Sequence, residues 1–195
     1  TEEETTEQGN TYLRWIIDPL DGTTNFLHQL PFFAISVALE QHDQTLLGVV
    51  HEVNRSETFS ARLGGGCYLN GQQVWVSERA RLEDALIATG FPYYDFSLME
   101  RYFRTLSEFM QRTRGIRRFG SAAVDLAYVA CGRFDAFFEH SLHPWDVAAG
   151  ALLVQEAGGR VTDFSGGDDY LHGREIVASS GALFEQAFAI IRYMR

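Results

Sequence analysis

The chain has 195 residues, 46% of them hydrophobic and 22% charged, enough apolar matter for a packed core. No apolar run approaches the roughly 18 residues of a membrane span, so no membrane partner is expected. A formal charge of −10 argues against nucleic acid or an anionic membrane as the main partner and requires metal ions to attract any anionic substrate. Cys67 and Cys131 lie far apart among small or apolar neighbours, a pattern of reduced, buried thiols that fits the cytoplasm. The sequence opens on Thr1-Glu2-Glu3-Glu4 rather than Met, which predicts that an upstream segment has been removed.

Residues 1 to 14 are polar, and Trp15 to Ile17 read as a short strand stopped by Asp18-Pro19, since proline cannot continue a ladder and holds its predecessor extended. Phe32 to Leu39 and Thr45 to Val53, parted by His42-Asp43-Gln44, predict a hairpin. Thr58 to Ala61 and Gly66 to Leu69 follow, and Asn70-Gly71 signals a tight turn before Gln73 to Val76. An antiparallel sheet is expected from this stretch. Leu98, Tyr102, Leu106, Phe109 and Met110, at helical spacing behind Ser97 as N-cap, predict a helix over 97–112. Beyond it, strands at Ile116 to Phe119, Ala136 to Glu139, Arg160 to Asp163 and Ile176 to Ala178 alternate with helices at Ser121 to Ala130 and Asp146 to Ala157, and Leu183 to Arg195 reads as helical. The class is α/β, with a change of style near Gly115 dividing 1–115 from 116–195.

Two aspartates separated only by Pro19 and Leu20 repel one another and call for a cation. The proline-fixed turn lets Asp18, Asp21 and the Leu20 carbonyl face one side, an all-oxygen set that suits magnesium. Gly22-Thr23-Thr24 adds N–H groups for an anion and hydroxyls for a water. An Asx-type turn capped by threonine is the alternative for this segment. Asp146 falls in the first turn of the helix announced by Pro144-Trp145, where the helix dipole alone accounts for an acid.

Taken together, these segments resemble the inositol monophosphatase family of metal-dependent, lithium-sensitive phosphatases. The resemblance is carried by Asp18-Pro19-Leu20-Asp21-Gly22-Thr23-Thr24-Asn25-Phe26, by Trp145-Asp146-Val147-Ala148-Ala149-Gly150 with Glu156-Ala157-Gly158-Gly159 after it, and by Thr1-Glu2-Glu3. Ala88-Thr89-Gly90-Phe91-Pro92 and Gly120-Ser121-Ala122-Ala123 look like the bacterial members. It implies a layered αβαβα fold, two or three Mg²⁺ ions and a homodimer, with 1–115 as a metal- and phosphate-binding portion lacking the family's first helices and 116–195 as the C-terminal α/β portion. Carried over by position, Glu2, Asp18, the Leu20 carbonyl, Asp21 and Asp146 hold the metals, with Glu3 competing for the place of Glu2. Thr23, Asp21 and Glu2 are the catalytic set. Gly22 and Thr23 offer amides to phosphate, Glu139 meets substrate hydroxyls, and Ala122 and Asp146 complete the substrate pocket.

The expected function is therefore magnesium-dependent hydrolysis of a small-molecule phosphate monoester, inositol 1-phosphate or a similar polyol or sugar monophosphate, by metal-activated water. Fructose 1,6-bisphosphate and histidinol phosphate are alternatives. A nucleotide 3′-phosphatase is disfavoured because that branch carries Lys-Glu after Asp-Gly-Thr, where this chain has Thr24-Asn25. A non-enzymatic role as a partner of the transcription machinery belongs to another class. Arg114, Arg117 and Arg118 read as a solvated basic cluster, His140 and His143 do not fit the carboxylate set, and no nucleophile-elbow GxSxG occurs.

Overall fold

The computed structural model describes residues 12–93 and 95–194. Six antiparallel strands form the first sheet in sequence order: β1 (Leu13–Asp21), β2 (Ala34–Gln41), β3 (Gln44–Glu52), β4 (Glu57–Arg62), β5 (Cys67–Leu69) and β6 (Gln72–Val74). The turn signals are used as read: His42 and Asp43 take left-handed conformations between β2 and β3, as do Asn70 and Gly71 between β5 and β6. A short helix, α1 (Thr23–Leu27), follows β1. The second sheet has the order β10-β11-β9-β7-β8, built from β7 (Leu86–Thr89), β8 (Gly115–Arg117), β9 (Ala136–His140), β10 (Gly159–Thr162) and β11 (Glu175–Ser180). β7 pairs in parallel with β8 and β9, while β11 runs antiparallel to β9 and β10. The remaining helices are α2 (Met99–Arg112), α3 (Ala122–Ala130), α4 (Pro144–Glu156) and α5 (Phe184–Ile191).

Two apolar clusters set the layering. One joins β1 to β5, α3 and α4 to Ala88, Phe137, Ile176 and Ala178 of the second sheet. The other joins the opposite face of that sheet, through Ile87, Phe138 and Val177, to Tyr102 and Phe109 of α2 and Phe184 and Ile191 of α5. Among the described residues the layers are therefore sheet, helices, sheet, helices, a mixed α/β fold. Strands β9 and β11 are covered on both faces, which is why they read as apolar runs rather than alternating ones. The sheets part between Val74 and Leu86, and Gly115 opens β8 inside the second sheet. No helix among the described residues is long and apolar enough to cross a membrane.

Two local expectations need correction, and one strand went unread. Pro19 does not stop β1, which runs on to Asp21. β1 is the edge of its sheet, where a missing N–H costs no ladder bond. Ser97 does not cap α2: its N–H donates to Asp95 Oδ1 at 2.9 Å, and the helix begins at Met99 behind Leu98. β7 has only four residues, too few for a periodic signal, and passes unseen in the sequence.

Helices α3 and α4 approach closely because small residues line the contact. A Cβ on Gly150 would lie 2.6 Å from Leu126 Cβ, and one on Gly48 of β3 would lie 2.8 Å from the Ala149 carbonyl oxygen. Gly150→Val is expected to destabilise the fold by about 1–3 kcal/mol through overpacking, read as a lower midpoint in urea.

Candidate active site

The opening aspartates are brought together by a β-bulge. Asp18 pairs with Ser36 and Asp21 with Ala34, so Pro19 and Leu20 on β1 oppose Ile35 alone on β2. The extra residue reverses the alternation of side chains, and positions three apart come to share the buried face. Asp18 and Asp21 are 2% and 8% exposed. Leu20 N–H donates to Asp18 Oδ1 at 2.9 Å, and the Thr23 hydroxyl donates to the Leu20 carbonyl at 3.0 Å, bracing the turn from both ends. Gly22 then starts α1 at φ +87°, left-handed geometry that favours glycine, and a Cβ there would lie 3.0 Å from the Phe32 carbonyl. Buried Asn25 donates from Nδ2 to the carbonyls of Phe32 and Phe119, both at 2.7 Å, tying this loop to the approach of α3.

Two helix starts close the site. Ser121 caps α3 and donates its hydroxyl to Asp21 Oδ2 at 2.5 Å, and Ala123 N–H donates to the same oxygen at 2.8 Å. Asp146 Oδ2 accepts from His143 N–H at 2.7 Å at the start of α4. The Ser36 hydroxyl donates to the Trp145 carbonyl at 3.2 Å, pinning that helix start to β2. Carboxylate oxygens of Asp18, Asp21 and Asp146 consequently lie within 4.8 Å of one another. Burial pushes the Asp21 pKa up to about 7, with the Asp18 charge adding to it against hydrogen bonds from Ser121, Ala123 and Gly22. An all-oxygen cluster of three carboxylates fits a hard divalent cation. The Gly22 N–H is drawn onto the Asp21 carboxylate, so phosphate would have to share it.

These aspartates form one end of a cleft of about 690 Å³. Its other wall carries Glu139 of β9, whose pKa burial pushes up to about 8, with Arg118 opposing and Asp146 and Asp21 reinforcing the rise. Arg118 is not solvated as its cluster suggested: half-buried in the cleft wall, it hydrogen-bonds Tyr93 and lies 5.4 and 5.2 Å over the rings of Phe91 and Tyr93. His140 is buried beside Glu139, and burial lowers its pKa, which keeps the ring neutral near pH 7. His143 stacks on Trp145 at 4.4 Å. Neither histidine joins the carboxylate cluster.

The cleft thus gathers Asp18, Leu20, Asp21, Gly22, Thr23, Ala122, Glu139 and Asp146, every position carried over from the motifs except Glu2. Glu2 lies outside the described residues, as does Glu3. Sequence reasoning gave no place in the site to Asp125 of α3, which is 1% exposed and held well above the usual carboxylate range by burial and then by the charges of Glu139 and Asp21. A lone acid in the apolar run Ala122 to Ala130 was the available signal.

Comparison with known proteins agrees with this geometry. The sequence model of the Inositol monophosphatase family matches residues 1–194. The chain is 50% identical over 177 residues to the putative Nus factor SuhB of Neisseria meningitidis serogroup B, covering 91% of this chain and 68% of that protein. It is 46% identical over 167 residues to inositol-1-monophosphatase of Mesorhizobium japonicum, covering 86% and 63%. The crystal structure of extragenic suppressor protein suhB from Bartonella henselae superposes with a TM-score of 0.89 at 45% identity, over 95% of this chain and 70% of that one. The chain spans about two thirds of the length of these relatives.

Proposed function

The chain belongs to the inositol monophosphatase family, and from that premise we propose that it hydrolyses inositol 1-phosphate or a similar small polyol or sugar monophosphate with the help of magnesium. The observation that carries the reading is the trio Asp18, Asp21 and Asp146, the first two buried and the third half-buried, at the end of a cleft sized for a small ligand. Bound divalent cations would supply Lewis acidity, neutralising phosphoryl charge and lowering the pKa of a water. The trio, with the Leu20 carbonyl beside it, would hold the cations, and Glu2 is the further ligand proposed from the motif. Ser121 and Ala123 hold Asp21 in place through its Oδ2, leaving Oδ1 for this task. Thr23 is exposed to the cleft and fixed by its bond to Leu20, which supports a role for its hydroxyl oxygen in orienting the attacking water. The N–H of Thr23, with that of Gly22 shared, meets the phosphoryl oxygens. Glu139 and Ala122 bound the space for the alcohol, where Glu139 contacts its hydroxyls.

Release of phosphate from inositol 1-phosphate by the full-length protein tests this reading. Activity is expected with magnesium and none with chelator, and a panel of sugar phosphates names the preferred ester. Silence across the panel from folded, magnesium-loaded protein overturns it. A second reading is favoured by the relatives named Nus factor: a partner-binding role beside or instead of catalysis. An Asp21→Asn protein that loses hydrolysis and keeps partner binding would separate the two.

A further inference from the structure

The parallel register of β7 on β9 pairs Ile87 with Ala136, Ala88 with Phe137 and Thr89 with Phe138. One step beyond the ladder, Gly90 falls beside Glu139. A Cβ built on Gly90 would lie 1.8 Å from Glu139 Oε1, 1.9 Å from Cδ and 2.1 Å from Oε2. The carboxyl group therefore occupies the space a side chain at position 90 would need. The Gly90 backbone is outside the left-handed region, so its conformation does not demand glycine; the carboxylate does.

Behind Gly90 stands Tyr102 of α2, 1% exposed, whose hydroxyl donates to the Gly90 carbonyl. The same hydroxyl lies 3.0 Å from Thr89 Oγ1, which donates to the Phe138 carbonyl at 2.8 Å. The residue bearing the seat is thus fastened to the strand bearing the carboxylate. We infer that Gly90 is a specificity-determining position, its bare Cα seating the Glu139 carboxylate toward the substrate alcohol, with Tyr102 as the positioning residue that fixes the seat. This rests on the proposed role of Glu139. The obstructing atoms are the far end of a flexible side chain, so a methyl group at position 90 displaces the carboxylate rather than the fold.

The test compares Gly90→Ala, Glu139→Gln and the double variant of the full-length, magnesium-loaded protein on inositol 1-phosphate and on 4-nitrophenyl phosphate, which has no ring hydroxyls. Contacts remote from phosphorus act in ground and transition states alike, so the expected effect falls on KM. Gly90→Ala and Glu139→Gln should each raise KM for inositol 1-phosphate about tenfold or more, the double variant should do no worse than Glu139→Gln alone, and the loss on 4-nitrophenyl phosphate should be several-fold smaller than that on inositol 1-phosphate in each variant. Loss in Glu139→Gln without loss in Gly90→Ala overturns the seat while sparing the role of Glu139. Loss in neither overturns both. Equal losses on both substrates overturn the specificity assignment. If Gly90→Ala melts at assay temperature, Tyr102→Phe decides: a KM rise confined to inositol 1-phosphate supports the inference, and unchanged kinetics overturn it.

Discussion

Asp21→Asn is expected to lower phosphate release about a thousandfold at saturating magnesium while the protein stays folded. The asparagine oxygen still accepts from Ser121 and Ala123, the two groups on Asp21 Oδ2, so the start of α3 keeps its bonds. What changes is the other atom of the group, which becomes an NH₂ and repels a cation. The measurement is phosphate release across a magnesium titration, with circular dichroism to confirm the fold. Retention of more than about a tenth of the activity would remove Asp21 from the catalytic set.

The second large effect is a pH-dependent loss of stability in metal-free protein. Asp21 rises from 3.8 to about 7 and Glu139 from 4.5 to about 8, burial being the leading cause in each. The folded protein then binds protons more tightly than the unfolded chain, so stability from these groups is greatest below about pH 4 and declines as pH climbs through about 7 to 8. For Asp21 alone the interval corresponds to about 4 kcal/mol, or roughly 10 °C in melting midpoint. Scanning calorimetry in chelator from pH 4 to pH 8 should show that fall, and magnesium should restore more at pH 8 than at pH 4. Asp21→Asn should make the chelated profile shallower, leaving the part that Glu139 contributes. A flat profile in the parent protein, or a magnesium gain independent of pH, would refute this account.

What was legible in the sequence follows from the range of the interactions involved. The β2–β3 and β5–β6 hairpins are written in turn residues next to the strands they join, and α3 carries its own cap in Ser121. The aspartate motif was legible as chemistry, yet its geometry was misjudged: a stopped strand was expected where an edge strand passes through a bulge. That outcome depends on β1 being an edge, a property of the whole sheet. Arg118 fails for the same reason. In sequence it belongs with two arginines that do stay exposed, Arg114 and Arg117, and only the rings of Phe91 and Tyr93, brought from a distant loop, set it apart. The resemblance supplied Glu139 as a position, whereas its seat on Gly90 emerges from a parallel pairing that no local pattern announces.

The cleft has its jaws on different sheets: Asp18 and Asp21 ride on the six-stranded sheet and Glu139 on the five-stranded one, with α3 and α4 between them. The gap is therefore a gauge whose setting is the thickness of the helix layer. Gly48 against Ala149 holds α4 close to the first sheet. Bulk added at that contact, far from any reacting atom, acts as a shim, altering the length of alcohol that reaches from one jaw to the other.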